Sequence, residues 1–256
     1  PEQARLPVVS KPDDSVNKEA IVALSPDVIF ASPSEFLVPD SIQRALGIPV
    51  VALSSQGSFG RLLEEIELVG RVTGLKTRAK ELVDYFREKI ATVARATSSI
   101  PAEERPRVYL ALWTSLLRTP VSYEPVNAAG GENVAAGLLP SFTGSPGTVV
   151  TIEQIIKWDP DIILVHGNYP PKERQVTVDQ ILTDKRLRSV KAVRNGQVFY
   201  TFGYWYWWDP AEVVVETLYL ANLFYPDKFG DIDLDAEGNA IFSKFYGSAD
   251  VFSRLA

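Results

Sequence analysis

"LSPDVIFAS" (residues 24–32) and "WDPDIILVHG" (residues 158–167) are two copies of one phrase. In each, a Glu stands at the same spacing before the Pro: Glu19 before Pro26, and Glu153 before Pro160. The stretch between Glu and Pro reads as a short apolar helix. The residue before a proline is pushed out of the helical region, so both helices are expected to stop near Ser25 and Asp159. A β-rich run follows in each copy, Val28–Phe30 and Ile162–Val165. The distance from Pro26 to Pro160 is that of a duplicated domain, not of a solenoid unit.

Outward from the two phrases the pattern continues in step. Thr151 and Thr177 each begin a Thr-x-x-Gln stretch, the signature of a capped helix start. Short helices are expected over 39–46 and 177–184, followed by strands over 48–54 and 196–202. Strand–helix–strand alternation of this kind implies parallel sheets. Between the halves, residues 75–100 contain neither Gly nor Pro. Ala79, Leu82, Val83, Phe86, Ile90 and Val93 fall on one face at helical spacing, which predicts a single long helix. The second half opens with the strand "RVYLALW" (107–113) and closes with a helix over 209–226, where Asp209 caps and Pro210 takes the first helical position.

Composition excludes several chemistries. The chain has no Cys, so disulfides, thiolate metal sites and Cys nucleophiles are absent. It has one His, whereas a bare zinc or manganese site recruits several. Any metal is therefore expected to arrive already chelated, or as an oxoanion. A formal net charge of −6 argues against nucleic acid as the main partner. "DIDLDAEGNA" (231–240) fails as an EF-hand, because Ala236 and Phe242 occupy the places that need Gly and Glu; it reads as an acidic surface turn. "GGEN" (130–133) reads as a turn into a helix and lacks a nucleotide-binding pattern.

The candidate binding residues lie where parallel strands end, the edge at which α/β folds take ligands. Trp113 ends one strand and begins a loop holding Arg118, a planar fork suited to a carboxylate, catecholate or oxoanion. His166 ends the second repeated strand and is a candidate axial ligand or hydrogen-bond donor to a metal chelate. Tyr204, Trp205, Tyr206 and Trp207, with Trp208, form a run of five aromatics between a strand and a capped helix. Such side chains offer stiff, amphipathic contact area to an apolar or chelate ligand. No nucleophile partner for His166 and no paired carboxylate motif stands out, so catalysis has little support.

The ordered set "NKEAIVALSPDVIFAS" (17–32), "SFGRLLEEIELVGRVTGLKTRAKELVDYFREKI" (58–90), "AAGGENVAAGL" (128–138), "TIEQIIKWDPDIILVHG" (151–167) and "KAVRNGQVFYTFGYWYWWDP" (191–210) resembles the periplasmic binding proteins of ABC transporters for ferric siderophores, haem and vitamin B12. The resemblance implies an α/β fold: two Rossmann-like lobes with parallel sheets, joined by one long α-helix. It places an N-terminal lobe at 1–74, a backbone helix at 75–100 and a C-terminal lobe at 101–256. An N-terminal strand and helix are expected to precede residue 1. The implied function is extracytoplasmic delivery of an iron-siderophore, haem or corrinoid chelate to a permease, by a monomer with no intrinsic cofactor and no enzymatic activity. Membrane association would come through a lipid anchor or the permease. Glu35 and Glu173, which follow the two repeated strands, are the expected permease-docking acids. The alternatives are an oxoanion (molybdate or tungstate) binding protein of the same fold, and a cleft enzyme.

Overall fold

Each copy of the repeated phrase folds as a capped helix, a left-handed residue and a strand. The computed structural model describes residues 6–10, 16–32, 38–53, 58–113, 115–141, 147–167, 176–201, 209–248 and 250–255. In the first copy the Asn17 side chain accepts from the Ala20 N–H at 2.9 Å and opens α1 (Lys18–Leu24). Ser25 turns left-handed at φ 50°, and β1 (Ile29–Ala31) follows. Helix α2 (Pro39–Leu46) has Pro in its first turn and ends on Gly47 at φ 69°, a backbone state that glycine adopts without penalty. Strand β2 (Val50–Ala52) pairs parallel with β1, Ile29 opposite Val50.

By its internal contacts the chain divides into two compact units, Pro1–Ser54 and Ser55–Ala256. The second begins with α3 (Phe59–Val72), capped by Ser58, and the long α4 (Lys76–Thr97). The apolar face read from the sequence is the buried one: Ala79, Val83, Phe86 and Val93 are in the core, with Leu82 and Ile90 packed against it. Helices α3 and α4 pack closely because Gly70 has no side chain; a Cβ there would lie 2.3 Å from that of Ala79.

The chain then runs through β3 (Arg107–Ala111), β4 (Arg118–Pro120), α5 (Glu124–Ala128), β5 (Glu132–Asn133), β6 (Gly147–Val149), α6 (Ile152–Trp158), β7 (Ile162–Val165), α7 (Val178–Thr183), α8 (Lys191–Arg194), β8 (Val198–Tyr200), α9 (Pro210–Phe224), α10 (Pro226–Phe229), α11 (Leu234–Tyr246) and α12 (Phe252–Leu255). Strands β5, β3, β7 and β8 form one parallel sheet in that order. Its two faces divide by the strand period. Val108, Leu110, Ile162 and Leu164 join the core built with α4 and α9, while Tyr109, Ala111, Ile163 and Val165 join one built with Ile155 and Ile181. Burial on both faces explains why these strands read as continuous apolar runs.

Three local expectations are corrected. Gly130 and Gly131 lead not into a helix but into β5, which hydrogen-bonds to the edge of β3 with Val108 opposite Asn133. The acidic stretch 231–240 is not only a surface turn: the Asp233 side chain accepts from the Ala236 N–H and caps α11, so its acids sit at a helix N-terminus that favours negative charge. Arg118 lies on a strand, not in a loop, because β4 pairs antiparallel with the distant β6.

Candidate ligand site

Strands β3 and β7 run side by side with Ala111 opposite Val165, so the residues that follow each emerge at one edge. The His166 N–H donates to the Ala111 carbonyl at 3.1 Å, and the Thr201 N–H donates to that of Val165 at 2.9 Å. The C-terminal ends of three strands are thereby tied together. Gly167 follows His166 against the Thr201 backbone; a Cβ on it would lie 2.1 Å from the Thr201 carbonyl oxygen, so no larger residue fits.

Of the sequence-derived candidates, Trp113, Arg118 and His166 are brought together here. The Leu112 N–H donates to the Arg118 carbonyl at 2.8 Å, closing the excursion between β3 and β4. Trp113 is left-handed at φ 50°, and its N–H donates to His166 Nδ1 at 3.4 Å. The Arg118 guanidinium lies 5.4 Å from the centre of the Trp113 ring, within cation–π range. Both side chains are partly exposed, whereas His166 is 2% exposed. Burial lowers the His166 pKa from its ordinary 6.5 to about 4, so the imidazole is neutral at physiological pH. With Nδ1 accepting, the ring proton of the neutral form is on Nε2.

Two neighbours were not singled out from sequence. Val149 on β6 lies directly opposite Arg118 and is strongly exposed; residues facing each other across an antiparallel pair share a face. Thr201 extends β8 at the same edge as His166, with a buried hydroxyl that has no hydrogen-bond partner among the described residues. The rule that placed Trp113 and His166 at strand ends would have found Thr201 as well; Val149 needed the nonlocal pairing. Tyr204, Trp205, Tyr206 and Trp207 lie outside the described residues, as do Glu35 and Glu173. Immediately after the aromatic run, Asp209 caps α9 by accepting from the Ala211 and Glu212 N–H groups and also accepts from the Tyr246 hydroxyl. Burial, aided by the Asp209 charge, raises the Glu212 carboxyl to about 7.

Among the described residues no group of three or more His, Cys, Asp and Glu could hold a metal ion. The sequence model of the family described as periplasmic binding protein matches residues 1–203. The chain belongs to this family. The molybdate-binding protein MolA of Haemophilus influenzae is 30% identical over an alignment of 268 residues, spanning 91% of this chain and 70% of MolA. The structure of MolA bound to molybdate superposes with a TM-score of 0.72 at 29% identity, over 92% of this chain and 76% of that one. Two further structures share the fold: a periplasmic solute-binding protein from Veillonella parvula (TM-score 0.75, 24% identity, 100% and 77% covered) and Helicobacter pylori CeuE in complex with Ni-His (0.71, 16%, 93% and 74%).

The expected α/β architecture, with parallel sheets and one long helix, is the fold of this family. The relatives are transport proteins, not enzymes. The chain is accordingly the substrate-binding protein of an ABC importer, working outside the cytoplasm with a cognate permease. No helix among the described residues is long and apolar enough to cross a membrane.

Proposed function

We propose that the importer's substrate is a compact oxoanion of the molybdate and tungstate class, held through the Arg118 guanidinium on its Trp113 platform. The observation that carries this reading is the stacked Arg118–Trp113 pair at the C-terminal edge of the parallel sheet. A guanidinium keeps its charge at every physiological pH and offers a rigid fork of donors to an oxoanion. Resting on an indole, it has already lost part of the rotamer freedom that binding would otherwise consume. His166, neutral, adds no second charge. The likeness to MolA, which binds molybdate, supports the same class.

The second reading is a metal chelate such as a ferric siderophore, haem or corrinoid, favoured by the aromatic run Tyr204–Trp208. In either case the chain would comprise lobes at 1–74 and 101–256 and a backbone helix at 75–100, with Glu35 and Glu173 docking to the permease. A monomer that meets the membrane through a lipid anchor or the permease completes the proposal. Isothermal titration with molybdate, tungstate, sulfate and a ferric catecholate separates the readings. Oxoanion binding that falls about 10- to 100-fold in Arg118→Ala, the loss of one charge-assisted contact, supports the first. Binding of the ferric catecholate alone would replace it with the second. Unchanged affinity in Arg118→Ala would remove this edge from the site.

A further inference from the structure

We propose that His166 is a positioning residue: its buried Nδ1 accepts the Trp113 N–H and holds the left-handed turn that sets the indole beneath the Arg118 guanidinium. The proposal rests on the reading of Trp113 and Arg118 as the ligand-facing pair.

Trp113 holds a strained backbone state. Four non-glycine residues among those described have positive φ: Ser25, Trp113, Asp159 and Asp250. Three are short polar residues, the type that tolerates this region, and two of them end helices. Trp113 is the exception. A bulky aromatic there costs on the order of 1–3 kcal/mol and persists only when its surroundings over-determine it. Among the described residues, hydrogen bonds of the turn itself do so. The Leu112 N–H is fixed by Arg118, and the Ser115 N–H closes the turn onto the Leu112 carbonyl at 3.1 Å. The Trp113 N–H itself turns inward, where a buried donor without an acceptor would cost roughly 1–3 kcal/mol. His166 supplies that acceptor from the neighbouring strand end.

The chemistry of the ring suits this task. The His166 backbone N–H is bound to the Ala111 carbonyl, so the backbone from which the ring projects is registered to the strand that leads into Trp113. Burial keeps the imidazole neutral down to about pH 4, so Nδ1 retains its lone pair across the physiological range. The same assignment bears on a bound metal. An axial contact through Nδ1 would take the lone pair that Trp113 uses, and one through Nε2 would move the ring proton to Nδ1, which could then no longer accept from the Trp113 N–H. His166 acts through the Trp113 backbone and not as a metal ligand.

Asparagine and glutamine separate the two ring positions, since the Asn oxygen reaches the place of Nδ1 and the Gln oxygen that of Nε2. The test uses the full chain with sodium molybdate and sodium tungstate as probes, in wild type, Arg118→Ala, His166→Asn, His166→Gln, His166→Leu and His166→Gln/Arg118→Ala. His166→Asn should bind within about twofold of wild type, and His166→Gln and His166→Leu should lose about five- to tenfold, the scale of one modest hydrogen bond. The His166→Gln/Arg118→Ala double variant should bind no more weakly than Arg118→Ala, because His166 acts through that arginine's platform. A readout without ligand runs alongside: with 15N-tryptophan labelling, the Trp113 amide should lose exchange protection in His166→Gln and keep it in His166→Asn. Unchanged Trp113 protection in His166→Gln, or additive losses in the double variant, would overturn the proposal. If wild type binds neither oxoanion while the amide behaves as expected, the oxoanion reading falls and the positioning role stands.

Discussion

The two copies of the repeated phrase share one local structure and have opposite surroundings. Both α1 and α6 are seven residues long, each capped by a side chain accepting from the third helical residue, and each ends on a left-handed residue before Pro. Yet among the described residues β1 has a single partner, β2, while β7 lies between β3 and β8. Every residue of β7 is buried, whereas Phe30 in β1 is 38% exposed. Asp161 accepts from the Arg107 N–H at 2.9 Å and Asp159 from the Lys191 N–H at 2.8 Å, while their counterparts Asp27 and Ser25 are exposed. Local sequence thus sets the shape of the unit, and the neighbours set its energetic weight.

The strongest way to break this comparison is to truncate both strands. Leu164→Ala should destabilise the protein by about 2–5 kcal/mol, the range for emptying a closed core position, and Phe30→Ala by about 1 kcal/mol or less. Urea denaturation measures both; equal costs would end the contrast.

Next in size is a pH effect that only the second copy possesses, since His166 is the sole His. Its folded pKa, about 4, lies below its unfolded value of 6.5, so the unfolded chain binds the extra proton. The stability that follows from this is fully present above 6.5 and is lost as pH falls toward 4, by up to about 3 kcal/mol. Glu212 works in the opposite sense. Raised from 4.5 to about 7, it contributes stability below 4.5 that is lost as pH rises through 7, roughly 2 kcal/mol once solvent screening of this partly exposed group is allowed for. Between pH 4.5 and 6.5 the two slopes should nearly cancel. Glu212→Gln should expose the His166 slope, seen as a midpoint of unfolding that rises steadily from pH 4.5 to 6.5; a flat profile in that variant would show that His166 is not held neutral.

Smaller differences sharpen the comparison at matched positions. Asp161→Ala should cost about 1 kcal/mol through the lost bond to the Arg107 N–H, and Asp27→Ala close to nothing, by thermal denaturation. At the caps, Ser25→Gly should be neutral or stabilise by about 0.5 kcal/mol, because glycine adopts the left-handed state freely. Asp159→Gly should not stabilise, since it also removes the acceptor for Lys191. A gain of the same size at both sites would mean that the Asp159 carboxylate contributes nothing.

Much of this was legible in the chain. Asp209 and Pro210 opened α9, the Thr-x-x-Gln at 177–180 formed a capping box, and residues before Pro ended α1 and α6. The strand-end rule brought Trp113 and His166 to one edge. Apart from the local cap at Asp233, misreadings fell where a partner distant in sequence decided the outcome. Glu132 and Asn133 became a strand because the edge of β3 offered unpaired backbone groups, and Arg118 became a strand residue because Val149 faced it.

By itself, the sequence determined the repeated helix–cap–strand unit, the long α4 and the parallel alternation, because capping, proline sterics and hydrophobic period act over a few residues. Only the tertiary structure decided that, among the described residues, β7 is flanked by strands on both sides and β1 on one. It alone placed Arg118 over Trp113 and buried His166 against the turn between them. Those relations depend on contacts between residues far apart in the chain, whose strength comes from burial and desolvation that no local window encodes.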